Sequence, residues 1–178
     1  MRVSVIGGSS IDDETTEVAR EVGRLLGERG HTLVCGGLGG VMAPACEGAR
    51  EADRREASDG ARGLDSGERV DSSASGEHDV ETIGILPTTR RADANAWVTT
   101  PIATGLGNAR NPLVVLNGDA VIAIDGAAGT LSELGHALDH GRPVAGLDTH
   151  GVDLDGFRAV DSPRAAVEFV EARVGDGG

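Results

Sequence analysis

Three glycine-rich turns, Gly7-Gly8-Ser9-Ser10, Gly36-Gly37-Leu38-Gly39-Gly40 and Asp125-Gly126-Ala127-Ala128-Gly129-Thr130, each follow a short β-branched run and each precede a helical pattern. Such turns suit anions, because a helix N-terminus presents free N–H groups and glycine lets a phosphate approach the backbone closely. One turn alone says little, since any tight strand-to-helix connection favours glycine. Three at the carboxyl ends of strands in one parallel sheet point to a pocket for a nucleotide or phosphoester. The candidate ligand-binding residues are Gly7, Gly8, Ser9, Gly36, Gly37, Gly39, Gly40, Gly126, Ala127, Ala128, Gly129 and Thr130. Glu133, one helical turn further on, admits two readings: the end of a T-x-x-E capping box with Thr130, or a functional carboxylate beside the anion site.

Other chemistry is less well supported. Glu133, His136 and His140 fall on one helix face, yet no fourth ligand is identifiable, so no metal is expected. Trp97, the single tryptophan, is expected in the core beside a strand rather than stacked on a base. Cys35 and Cys46 have neither metal-type spacing nor a disulfide framework and are expected as buried free thiols. The first strand leads into Gly7-Gly8-Ser9-Ser10 and not G-x-G-x-x-G, and no acidic residue closes the second, so an ordinary dinucleotide fold is disfavoured.

Composition narrows the classes further. Arginine accounts for all 16 basic residues in the 178-residue chain, and there is no lysine. That excludes pyridoxal phosphate catalysis through an internal Schiff base, and also the lysine of a Walker-type loop. Against 29 acidic residues the net charge is −13, which disfavours nucleic acid and anionic membranes as partners. An acidic, lysine-free surface also fits hydration in concentrated salt, so the unfolding midpoint is expected to rise between low and molar salt in chemical denaturation. The start at Met1 to Ile6 is too short for a signal peptide and no run of about 20 apolar residues occurs, so a cytoplasmic protein is expected.

The elements that must position these residues alternate. Strands are predicted at Arg2 to Ile6, His31 to Cys35, Thr82 to Leu86, Ala96 to Thr99, Asp119 to Ile124 and, last, Pro143 to Leu147. Helices are predicted from a cap at Asp12 or Asp13 to about Gly30, from Val41 to Ala52, from near Asn111 with Asn as cap and Pro112 first, from the turn at 125–130 through about Asp139, and after Ser162-Pro163 with Val167, Val170 and Val174 buried. Residues 53 to 80 carry eight acidic residues, four basic residues and five serines, and are expected to be a disordered surface insertion. The fold class expected is α/β: one domain over 1 to 178 with a single doubly wound, mostly parallel Rossmann-like sheet and helices on both faces.

Residues 126 to 133, Gly-Ala-Ala-Gly-Thr-Leu-Ser-Glu, resemble the P-G-G-x-G-T-x-x-E motif of the LOG ("lonely guy") family of nucleoside 5′-monophosphate phosphoribohydrolases, once labelled lysine decarboxylases. Val5 to Ser10 is similar to that family's opening strand and turn, Leu33 to Gly37 with Gly40-Val41-Met42 to its second glycine turn, and Thr82 to Pro87 to its next strand. Arg110 stands fifteen residues before Asp125, the family's spacing from its catalytic arginine to the motif proline. The resemblance spans roughly residues 2 to 147 outside the insertion, and its fold relatives include molybdenum cofactor carriers and, remotely, the DprA/Smf DNA-processing proteins. It departs at Asp125 for proline, Ala127 for glycine and Asn111 for lysine. The Ala127 methyl narrows the approach of a phosphate, and Asp125 adds negative charge beside it. The Gly-Asn-Ala-Arg-Asn run resembles more closely the prokaryotic branch near the carriers.

What the resemblance implies is a nucleotide-binding protein in which Arg110 orients the ribose or base and Glu133 stabilises an oxocarbenium-like ribose or steers water. Free base and ribose 5-phosphate would be released. The alternative is a non-catalytic carrier of molybdenum cofactor or a related phosphorylated ligand. An ion pair between Arg110 and Glu133 with a purely structural role predicts the same proximity. No bound cofactor is expected, and a homo-oligomer is implied by the resemblance alone.

Overall fold

The computed structural model describes residues 1–61 and 80–175. Among these, seven strands form one sheet in the order β4-β3-β2-β1-β5-β6-β7, and every pairing is parallel. The strands are β1 Arg2–Gly7, β2 Thr32–Cys35, β3 Thr82–Leu86, β4 Thr100–Ala103, β5 Ala120–Ile124, β6 Val144–Leu147 and β7 Phe157–Ala159. The helices are α1 Asp13–Glu28, α2 Met42–Ala61, α3 Asn111–Leu116, α4 Ala128–Asp139 and α5 Pro163–Gly175. None of them is long and apolar enough to cross a membrane.

The central strands are buried on both sides, which explains their unbroken apolar sequences. Along β5, Ala120, Ile122 and Ile124 join a core with Val22 and Leu26 of α1, Ala45 and Ala49 of α2, and Val167 and Val170 of α5. The alternate residues Val121 and Ala123 pack with Val114 and Val115 of α3 and with Leu134 and Ala137 of α4. Helices therefore cover both faces, in the doubly wound arrangement. Asp12 caps α1, accepting from the Thr15 N–H at 2.8 Å, and Gly30 ends its turn with φ of 69°.

Five expectations are corrected. The strand placed at 96–99 begins instead at Thr100, because Asn95 Oδ1 accepts from Trp97 N at 3.0 Å and Thr82 and Thr99 exchange side-chain hydrogen bonds, turning the chain first. Pro101 is tolerated because β4 is an edge strand. Val144–Leu147 is not last; β7 adds to it, a three-residue edge piece too short to show alternation. Helix α2 does not stop at Ala52 but runs to Ala61, since Arg, Glu and Ala extend an existing helix without a new nucleation cost. Residues 62–79 of the expected insertion lie outside the described residues, and Val80 at its end is not a surface residue but is buried in the first core. Asn111 is not a cap: α3 begins at Asn111 itself, with Arg110 as the preceding residue.

Candidate functional site

The chain leaves β1 toward β2, β3 and β4, and later leaves β5 in the opposite direction, so the carboxyl ends of these two neighbouring strands open a crevice. Three turns meet there. A Cβ on Gly40, whose φ is 62°, would lie 2.1 Å from the Gly8 carbonyl oxygen, and Val41 N donates to that oxygen at 2.9 Å. Glycine at 40 is thus what lets the second turn lock onto the first. Gly40→Ala is expected to lower the unfolding free energy by about 2 kcal/mol, read from urea denaturation, through a left-handed alanine and a backbone clash.

The resulting cleft has a volume of about 460 Å³. Gly7, Gly8 and Ser9, then Gly36 and Gly39, then Ala127, Gly129 and Thr130, line it together with Arg110 and Glu133. Gly37, Gly40, Gly126 and Ala128 are not on its wall. Gly37 packs against Leu86 and Gly84, and Gly126, with φ of 118°, leaves space for the Thr130 side chain. Ala128 is an exposed first residue of α4. Sequence reasoning missed Met42, Pro87, Asn108 and Asn111 on the wall. The two asparagines flank Arg110 in a short turn, and their amides were the available signal.

Helix α4 starts at Ala128, its preceding residue is Ala127, and no side chain caps it. Thr130 and Glu133 therefore do not form a capping box. Glu133 turns inward, 7% exposed, with Oε1 3.6 Å from Nη1 of Arg110, itself 8% exposed. Arg110 Nη1 donates to Asn111 Oδ1 and Nη2 to the Gly36 carbonyl at 3.5 Å, while its buried Nε has no partner. Burial pushes the Glu133 carboxyl up to about 7, with Arg110 pulling the other way. Burial likewise lowers Arg110, with Glu133 opposing. Two costly charges are held together at the edge of a cleft.

Asp125 takes the place of the motif proline in a left-handed conformation, φ 51°. The main chain there is held by Asp125 N donating to Leu147 O at 3.0 Å and by Thr149 Oγ1 donating to Asp125 O at 2.6 Å. Its carboxylate sits against Gly8, where a Cβ would come within 2.5 Å of Oδ2. His150, on the loop after β6, approaches the Ala127 carbonyl at 3.1 Å. His136 and His140 do not join Glu133 as a ligand set: Glu133 turns to Arg110 on the cleft wall, and His140 Nδ1 lies 2.8 Å from the His136 carbonyl. Among the described residues no group of three metal-ligating side chains is assembled. Trp97 packs against the first core and is not on the cleft wall.

The model of the SLOG cluster4 family matches residues 1–56 and 68–172. An uncharacterized protein of Archaeoglobus fulgidus is 36% identical over 170 residues, which is 95% of this chain and 93% of that one. Among solved structures, the molybdenum cofactor binding protein of the phototrophic bacterium Rippkaea orientalis superposes with a TM-score of 0.75 at 28% identity, covering 96% of this chain and 95% of that one. The molybdenum cofactor carrier protein of Chlamydomonas reinhardtii shares the fold, with a TM-score of 0.75, 24% identity and 98% of both chains covered. The glycine turns, the parallel order about the β1/β5 crevice and the extent of the family match agree: the chain belongs to the SLOG cluster4 family.

Proposed function

We propose that the cleft binds a phosphorylated small molecule of the nucleotide or phosphorylated-pterin class and holds it without an obligatory chemical step. The observation that carries this reading is Arg110, a buried guanidinium on the cleft wall with Nε unpartnered. A buried donor without an acceptor costs stability, and an anionic ligand in the cleft supplies acceptors. Support comes from the N-terminus of α4, which has no side-chain cap and carries the small residues Ala127 and Gly129 on the same wall. The likeness to a protein described as binding molybdenum cofactor favours a carrier role. Asp125 and Ala127 restrict the approach of a phosphate relative to the proline and glycine of the LOG motif, which favours holding over turnover.

A second reading rests on Glu133, whose carboxyl is held near neutrality 3.6 Å from Arg110. That is the placement a group needs to exchange a proton or stabilise ribose charge while water adds to C1′ of a nucleoside monophosphate and the N-glycosidic bond breaks, giving free base and ribose 5-phosphate. The two readings separate when protein in molar salt is incubated with AMP and other nucleoside monophosphates and with molybdenum cofactor, following bound ligand and released base. Stoichiometric binding without base release supports the carrier. Base release that disappears in Glu133→Gln supports the hydrolase. If none of these ligands binds, both readings fail.

A further inference from the structure

The chain contains two cysteines, eleven residues apart, and the fold brings them into contact behind the cleft. Cys35 ends β2 and Cys46 lies near the start of α2, with their Sγ atoms 3.6 Å apart and neither residue exposed. Gly37 N donates to Cys35 Sγ at 3.3 Å. The residue between them, Gly36, lines the cleft, has no side chain, and accepts from Arg110 Nη2. A small molecule in the cleft is therefore one residue away from Cys35.

The two thiols are unequal. The hydrogen bond with Cys46, together with the Gly37 N–H and the Arg110 charge, holds Cys35 below the ordinary thiol range. Cys46 is pushed up because its interaction with Cys35 and its burial both favour the protonated form. One sulfur is thus set up as the nucleophile and the other as the proton-bearing partner.

We propose that Cys35 and Cys46 form a redox pair in which a peroxide closes a disulfide and resets the glycine turn at 36–40. The Cys35 thiolate attacks one peroxide oxygen, the O–O bond breaks, and the departing hydroxide takes a proton to become water. The Cys46 sulfur then attacks the Cys35 sulfenic acid, and the hydroxyl leaves as water with the Cys46 proton. In sum, two thiols and one hydrogen peroxide give one disulfide and two waters. A disulfide bond is only about 2.05 Å long, so closure from contact distance draws the end of β2 and the start of α2 together. It also weakens the sulfur acceptor of the Gly37 N–H.

The fold places a reporter on this movement. Asn95 N donates to Gly37 O and Asn95 Nδ2 to Leu38 O, each at 2.9 Å, and Trp97 N donates to Asn95 Oδ1 at 3.0 Å. The single tryptophan therefore hangs from the turn that the disulfide would shift.

The test treats the full chain with a few equivalents of hydrogen peroxide, then denatures, alkylates and weighs it, while following Trp97 emission. The expected result is loss of two hydrogen atoms in mass, protection of both cysteines from alkylation within one chain, and an emission change that reverses with dithiothreitol. Cys46→Ser should show neither the mass loss nor the reversible emission change, and should stop at a Cys35 sulfenic acid trapped by a dimedone reagent. Free alkylation of both cysteines after peroxide, disulfides only between chains, or identical emission of oxidised and reduced protein would each overturn the proposal. The wild-type measurements need no variant and no cleft ligand, so this failure is distinct from failure of the carrier or hydrolase reading.

Discussion

Arg110→Met is expected to weaken AMP binding at pH 7 by about 100-fold, measured by titration calorimetry, while changing the unfolding free energy by no more than about 1 kcal/mol. Among the described residues that line the cleft, Arg110 is the only cation. A charge-assisted contact to phosphate contributes about 2–3 kcal/mol in such a setting, which fixes the size of the affinity loss. Stability is expected to behave differently from the usual broken buried ion pair, where the stranded partner remains charged. Glu133 already sits near 7 with Arg110 opposing the upward push of burial. Without Arg110 the carboxyl climbs further and stays protonated at pH 7, so no bare charge is left inside. Methionine fills the space of the aliphatic stem. Unchanged AMP affinity in the variant would show that the cleft cation does not hold the phosphate, and the proposed function would fall with it.

How much of this arrangement was legible in the sequence depended on whether the deciding contacts are local. The glycine turns were legible because a strand, a tight turn and a helix follow one another within a dozen residues and leave their mark on composition. The cap of α1 at Asp12 was legible for the same reason. The pairing of Arg110 with Glu133 joins a short turn to helix α4 across 23 residues, and only the spacing shared with a known family pointed to it. Local reading could not choose between a capping box and an inward carboxylate at Glu133. The start of α4 is set by Asp125, which Thr149 and Leu147 hold in the left-handed region from another part of the sheet. The misplaced fourth strand has a similar cause, since the Thr82 and Thr99 side chains that delay it belong to separate elements. Strand β7 is placed by Phe157 packing on Gly146, and the contact of Cys35 with Cys46 spans a strand, a turn and a helix, none of which a local pattern encodes.

Glu133→Gln is expected to stabilise the protein at pH 8 by about 3 kcal/mol and to leave it unchanged at pH 4, in urea unfolding followed across that range. The sign follows from burial. The Glu133 carboxyl stands at about 7 in the folded protein against an ordinary 4.5. Below pH 4.5 both folded and unfolded chains hold the proton, and the residue contributes nothing unfavourable. As pH rises toward 7 the unfolded chain has released its proton while the folded chain retains it, so folding becomes progressively less favourable. Above 7 the folded carboxylate is charged in a site that is 7% exposed, and the penalty stays constant at about 1.4 kcal/mol for each pH unit between the two values. Glutamine has the same shape and no charge, so it escapes that penalty and should unfold with a midpoint about 5–10 °C higher at pH 8. Parallel curves for wild type and variant at every pH would mean that the carboxyl is not held up by burial. A gain confined to high pH, accompanied by loss of base release or by an altered pH dependence of AMP binding, would identify Glu133 as a residue kept at the expense of stability for what it does to the ligand.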